Sequence, residues 1–213
     1  MIDLNQIILG DCMDVMRDIP DKYFELAIVD PPYGCGCIEG HENIDWNSAP
    51  PDNKYFEELY RISENTIIWG CNNYVGNIKY IGRIVWNKLG PNIGRRNMTY
   101  RHSHCELASQ SIDKTIKMFS YTWIGNVRGN DYRVQWDKKT LHPCEKPIEL
   151  YRWLLINYAK PGDKIIDTHS GSGSCAIACH LEKHDFLAIE KDPDYHAASV
   201  KRLDEVRAQG VLF

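Results

Sequence analysis

An aspartate followed by two prolines and a tyrosine, Asp30-Pro31-Pro32-Tyr33, comes directly after the apolar run Leu26-Ala27-Ile28-Val29. The run reads as a buried strand, and open α/β sheets place their ligands at the carboxyl ends of such strands. Two prolines fix the backbone and remove two amide donors, which leaves carbonyl acceptors aimed in set directions. Acceptors without competing donors suit an amino group. The exocyclic amine of adenine or cytosine is a poor nucleophile because its lone pair is delocalised into the ring. If the Asp30 carboxylate and the Pro31 carbonyl accept its two N–H groups, the nitrogen can become more tetrahedral and direct its lone pair at an electrophilic methyl. Tyr33 would then stack on a base flipped out of its duplex. In isolation the four residues also read as a rigid turn after a strand.

A second constellation lies towards the other end. The short apolar run Ile165-Ile166-Asp167 enters Thr168-His169-Ser170-Gly171-Ser172-Gly173-Ser174, and a helical pattern follows. Glycines there let the backbone turn sharply and approach a ligand beside the positive end of a helix. Glu190 closes the next strand about 20 residues later, where an acid can accept ribose hydroxyl protons. An adenosine-type cofactor is implied. Gly171-x-Gly173 with Ala176 also satisfies a loose dinucleotide fingerprint, so this half alone leaves S-adenosylmethionine, a nicotinamide or flavin dinucleotide, and a plain turn open. The acceptor motif on a second strand is what favours methyl transfer, because independent signals would otherwise have to coincide.

The elements that must position these residues alternate. Strands are expected over 6–9, 25–30, 66–69, 84–86, 105–109, 116–123, 164–167 and 186–190, and helices over 13–19, 55–62, 174–182 and 193–207, with another opening at Pro147. Residues 125–140 read as a loop. This is a doubly wound α/β pattern. A chain of 213 residues with 43% hydrophobic content buries one substantial core, so a single domain over 1–213 is expected. The start of the chain has no basic region followed by an apolar run, and no stretch approaches the roughly 20 apolar residues that span a bilayer. A cytoplasmic protein with no membrane partner is the expectation. The eight cysteines lack the spacing of a disulfide framework and read as reduced thiols. Cys35-x-Cys37 with His41, and His102-x-His104-Cys105, lack the paired spacing of a structural zinc site, so no metal is expected.

At both ends the sequence resembles the β-group of DNA amino-methyltransferases, in which the catalytic motif precedes the cofactor loop. Five motifs in the family's order carry the resemblance: Ile7-Ile8-Leu9-Gly10-Asp11-Cys12, Glu25-Leu26-Ala27-Ile28-Val29-Asp30-Pro31-Pro32-Tyr33, His142-Pro143-Cys144-Glu145-Lys146-Pro147, Pro161-Gly162-Asp163-Lys164-Ile165-Ile166-Asp167, and Ala188-Ile189-Glu190-Lys191-Asp192-Pro193-Asp194-Tyr195. The resemblance implies a Rossmann-like fold dependent on S-adenosylmethionine. Its sheet would have seven mostly parallel strands with helices on both faces, and Asp30 and Asp167 would follow neighbouring strands. It places Asp11 and Cys12 against the cofactor's adenine and Lys146 near its carboxylate. Asp167 and Gly171-Ser172-Gly173-Ser174 would surround its methionine part, and Glu190, with Lys191 beside it, would hold the ribose. Double-stranded DNA is the implied partner and a homodimer the implied assembly.

The family's commoner Asp-Pro-Phe is replaced by Asp167-Thr168-His169, a variant similar to phage-type adenine methylases; His169 would be a polar cofactor contact or a space-filling loop residue. The net charge of −4 argues against a protein that coats nucleic acid, yet residues 65–105 contain no acid and include Lys79, Arg83, Lys88, Arg95, Arg96 and Arg101. Residues 88–140 are therefore the candidate DNA-contacting insertion, with Arg95, Arg96 and Arg101 near Tyr100, or 126–139 with Arg128 and Arg133, as alternatives to a solvated basic loop. The expected product is N6-methyladenine. Cytosine N4 is the nearest rival, and family members acting on it more often begin the motif with Ser. RNA or protein amides, a dinucleotide oxidoreductase and a non-catalytic binding module stand further off.

Overall fold

The computed structural model describes residues 2–34, 49–74, 76–89, 103–124, 127–129, 141–142 and 144–210. Strand β1 (Gln6–Leu9) leads through helix α1 (Cys12–Arg17) into β2 (Phe24–Val29). Helix α2 (Asn53–Ile62) carries the chain to β3 (Ser63–Trp69), and β4 (Gly82–Asn87), β5 (Cys105–Gln110) and β6 (Ile116–Ser120) follow. A small ribbon of β7 (Trp123–Ile124) and β8 (Val127–Arg128) precedes the alternating segment α3 (Ile148–Tyr158), β9 (Ile165–Asp167), α4 (Ser174–Glu182), β10 (Phe186–Glu190) and α5 (Pro193–Ala208).

The main sheet runs β1-β10-β9-β2-β3-β5-β4-β6. Strand β5 is antiparallel to both of its neighbours, and every other pairing in the sheet is parallel. Alternate side chains of the central strands serve opposite faces, as the strand period dictates. Leu26 and Ile28 of β2, Ile165 of β9 and Ala188 of β10 pack with Leu150, Leu154, Ala178 and Leu203 from α3, α4 and α5. Ala27, Val29, Ile166 and Leu187 pack on the other side with Met16 of α1 and Tyr55, Phe56 and Leu59 of α2. Each buried side chain of leucine or isoleucine size stabilises by about 1.5–3 kcal/mol. A one-residue slip of β2 would exchange its two sets of side chains, so its register is firmly specified.

The connections set the place of the site. From β9 the chain moves outward to β10 through α4 on one face, and from β2 it moves the other way to β3 through α2 on the opposite face. The boundary between the paired strands β9 and β2 is therefore the topological switch point, beyond whose carboxyl ends open α/β sheets bind their ligands. Helix α2 begins where the Asp52 side chain accepts the Tyr55 amide at 3.1 Å. No helix among the described residues is long and apolar enough to cross a membrane.

Two departures from the sequence reading concern the far edge. The sheet has eight strands where the family resemblance implied seven; β6, within the expected strand over 116–123, adds in parallel beside β4. The turn before it is tied by Gln110, which donates to the Asp113 carboxylate at 2.6 Å and accepts the Ile112 and Asp113 amides. The expected strand over 116–123 is broken: the Tyr121 and Trp123 amides bond back to the carbonyls of Asn87 and Lys88, which diverts the chain into the β7–β8 ribbon. Part of the expected loop over 125–140 is thus strand. Only Gly125 and Asn126 separate β7 from β8 in sequence, a spacing that signals a hairpin.

Candidate active site

Asp30 stands one residue beyond β2, and Asp167 ends the adjacent strand β9. The Asp30 carboxylate is engaged from two sides. Tyr33 donates its phenol to Oδ1 at 2.7 Å, and the Lys146 ammonium bonds to Oδ2. The Tyr33 ring lies against Gly70, which follows β3 with φ of 69°; a Cβ there would sit 2.2 Å from the ring. Only glycine leaves that room. Behind the prolines, Tyr74 donates to the carbonyl of Pro31 at 2.6 Å and to that of Pro32 at 3.1 Å.

Lys146 is buried, and its ammonium also lies 3.1 Å from Glu106 Oε2. Burial alone would lower its pKa, but the charges of Asp30 and Glu106 outweigh that and hold it above the ordinary lysine range. Desolvation pushes the Asp30 carboxyl up, against the pull of Lys146 and with the repulsion of Glu106. Glu106 resists the same desolvation because Lys146 and Lys88 flank it, and its carboxyl is held down at about 2. It remains ionised.

A second group of residues lines the ends of β1, β9 and β10. The Glu190 carboxylate accepts the amide of Gly171 at 2.7 Å and that of Asp192 at 2.9 Å, fixing the entry to the glycine loop. Asp11 caps α1 through the Met13 amide at 2.9 Å and pairs with Lys191 at 3.0 Å, so two motifs from opposite ends of the chain meet. Desolvation opposes ionisation of Asp11, yet the Met13 amide and Lys191 lower its pKa; burial beside Asp11 pushes the Cys12 thiol up to about 12. Burial raises the Asp167 carboxyl to about 7 although the His169 amide bonds to it. Gly173 precedes α4 with φ of 75° and faces Ser199 of α5. Arg202 holds the loop from α5, donating to the Ser172 carbonyl at 3.0 Å and the Ser174 hydroxyl at 3.1 Å while pairing with Glu145 at 3.3 Å.

The acceptor turn of one half and the glycine loop of the other therefore follow neighbouring parallel strands at the switch point. A family model described as DNA methylase, covering the N6 and N4 amino-methyltransferases, matches residues 61–201. The chain belongs to this DNA methylase family. The methylase is 24% identical to the Type II methyltransferase M2.MboI of Moraxella bovis, with 92% of this chain and 86% of that protein aligned. Its fold is that of the solved M1.HpyAVI–SAM complex (TM-score 0.58, 20% identity, 92% of this chain and 98% of that one). It is also that of the cytosine-N4-specific PvuII DNA methyltransferase (TM-score 0.60, 12% identity, 95% and 91%).

Within the methylase the structure brings together most residues singled out in the sequence, with three adjustments. Lys146, which the resemblance puts near a cofactor carboxylate, has its ammonium on Asp30, because a buried cation needs an anion and Asp30 and Glu106 supply one. Tyr33 is half-buried with its hydroxyl tied to Asp30. His169 packs its ring edge-on against Tyr55 at 5.3 Å, with Nδ1 2.9 Å from the Thr168 hydroxyl, and burial lowers its pKa to about 4. Of the basic window, Lys79 sits over Tyr60, Arg83 bonds the Tyr80 carbonyl and Lys88 pairs with Glu106. Arg95, Arg96, Tyr100, Arg101, His102, Arg133, Cys35, Cys37 and His41 lie outside the described residues. Sequence reading missed Gly70, Tyr74 and Glu106. A glycine directly after a buried strand is a sign of close backbone approach and could have exposed the first.

Proposed function

We propose that the methylase transfers the methyl group of S-adenosylmethionine to N6 of adenine in double-stranded DNA, with the target base flipped into the crevice beyond β9 and β2. The observation that carries this reading is the pair of acceptors on one rigid turn. Asp30 and Pro31 already take donors from Tyr33, Lys146 and Tyr74, so both oxygens are positioned to receive N–H groups. When bound, the cofactor supplies a methyl group on a sulfonium. The residues present fit it: Ser170 Oγ is buried beside the glycine loop with no hydrogen-bond partner among the described residues, and Asp11 and Glu190 offer carboxylates at the ends of neighbouring strands. Asp11, Cys12, Glu190 and Lys191 would hold its adenosine part, and Asp167, His169 and Gly171 to Ser174 its amino-acid part.

Asp30 and Pro31 hold the amine by its two protons and turn its lone pair out of the ring plane. A methylated amine nitrogen would carry positive charge, and Asp30 would be placed to take the proton it then loses. Adenine is favoured over cytosine by the aspartate, rather than serine, that begins the motif. Residues 88–140 would supply the DNA contacts, and the methylase would act as a homodimer, both on the resemblance.

Incubation with methyl-labelled S-adenosylmethionine and mixed-sequence duplex DNA, followed by digestion to nucleosides, tests the reading. Label in N6-methyladenine is expected. Label in N4-methylcytosine would replace the base, and a protein that binds the cofactor yet labels no DNA would overturn the substrate class.

A further inference from the structure

The ammonium of Lys146 sits on Oδ2 of Asp30, the carboxylate that the proposed function gives to the target amine. It cannot simply be expelled, because it is buried between the rings of Tyr33 and Trp69, each centred 5.8 Å from Nζ. A buried charge left without a partner is strongly destabilising. The far end of this slot holds Glu106. Its Oε1 accepts Lys88 at 2.8 Å, whereas its Oε2 pairs with Nζ at 3.1 Å and has no other partner among the described residues. The cluster of Asp30, Glu106, Lys88 and Lys146 is charge-balanced, and stays so if the ammonium shifts from one carboxylate to the other.

We propose that Lys146 holds the amine's seat on Asp30 while the site is empty, and that Glu106 is the positioning residue onto which its ammonium withdraws when the target amine arrives. This rests on Asp30 being the amine's acceptor. Seated between two carboxylates, the lysine orients Asp30 while the site is empty and has a second anion to move onto. Glu106 reaches this position because β5 pairs with β4, setting Glu106 opposite Trp86 and within reach of Lys88. It acts only through Lys146.

The test is a cycle of variants assayed for DNA methylation at a cofactor concentration saturating for each, with affinity and thermal melting measured separately. Glu106→Gln keeps the shape and removes the second anion; the ammonium then stays on Asp30, and turnover should fall by about tenfold or more. Glu106→Asp keeps the charge and should stay within about threefold of wild type. The deciding variant is Glu106→Gln with Lys146→Met. With no ammonium to withdraw, the loss of Glu106 should have no further effect, so this double variant and Lys146→Met alone should turn over alike. A Glu106→Gln variant as fast as wild type overturns the proposal, as does a double variant slower than Lys146→Met alone, since Glu106 would then act on its own. Wild-type protein that labels no DNA overturns both this inference and the reading of the site, whereas active wild type with an unaffected Glu106→Gln overturns this one alone.

Discussion

The phenol of Tyr74 reaches the Pro31 carbonyl oxygen at 2.6 Å, from a ring packed against Phe56 with centroids 5.3 Å apart. A carbonyl oxygen has two lone pairs, so the phenol fills one and leaves the other for a substrate amine. Tyr74→Phe keeps the ring and removes the hydrogen bonds to Pro31 and Pro32. A hydrogen bond of this kind is worth about 0.5–1.5 kcal/mol net, so kcat should fall about 2- to 12-fold. Cofactor affinity, measured by calorimetry, should not move. An unchanged kcat would show that the prolines alone fix the acceptor.

Gly70 carries the opposite face of the same turn. Its φ is 69°, and a Cβ added to it would stand 2.2 Å from the Tyr33 ring, which leaves no room for alanine. Gly70→Ala should cost about 1–3 kcal/mol in denaturant unfolding, as substitutions at positive φ with a steric clash do. Because the clash displaces Tyr33, and with it a hydrogen bond to Asp30, turnover at a temperature where the variant is folded should fall by more than melting does. Full activity in a folded Gly70→Ala would dissociate Tyr33 from the reaction.

Asp30→Ala removes the carboxylate while Lys146 keeps Glu106 as a partner, so the fold should survive. Methyl transfer should drop by at least about 100-fold, the range of a lost acid–base group. Circular dichroism and cofactor titration on the same sample separate lost chemistry from lost structure. Retained turnover would refute Asp30 as the amine's acceptor.

How much of this was legible in the sequence depended on distance along the chain. Asp30, Asp167 and Glu190 each end or follow a short apolar run, so their place at the carboxyl edge could be read locally. Glu106 could not. It sits in a strand among Cys105 and Leu107, its partners Lys88 and Lys146 are far away, and only the pairing of β4 with β5 brings them together. The strand at 116 was legible but its place was not: β6 leaves Ile116 and Met118 exposed, so its apolar residues mark an edge, and the pattern alone does not say beside which strand it lies. Lys146 was found by motif, but its seat on Asp30 follows from a need for charge pairing that appears only once both are buried.

Asp167 and His169 make opposite contributions to stability across one pH range. Burial raises Asp167 from 3.8 to about 7, so the fold favours its neutral form and loses stability as pH rises between those values. Burial lowers His169 from 6.5 to about 4, so the fold favours neutral imidazole and loses stability as pH falls through that interval. In the wild type the two slopes offset each other. Asp167→Asn should therefore gain melting temperature relative to wild type at pH 7.5 compared with pH 5, and His169→Gln should gain relative to wild type at pH 4.5 compared with pH 7. Parallel melting profiles for wild type and either variant would contradict the assignment of that slope.

Glu190 holds the glycine loop from outside, with one oxygen on the Gly171 amide and the other on the Asp192 amide. Glutamine can satisfy only one of these donors, because its NH2 would face the other. Glu190→Gln should thus loosen the turn and remove the charge offered to a ribose, and a hydrogen bond to a charged group is worth about 1.5–3 kcal/mol. The expected result in calorimetry is a cofactor Kd raised by about tenfold or more, the factor that 1.4 kcal/mol represents. At saturating cofactor the acceptor turn is untouched, so kcat should stay close to wild type. Weakened binding with normal kcat would separate the two halves of the crevice, one that holds the donor of the methyl group and one that holds the amine. A variant that binds normally but turns over slowly would move Glu190 to the reaction itself.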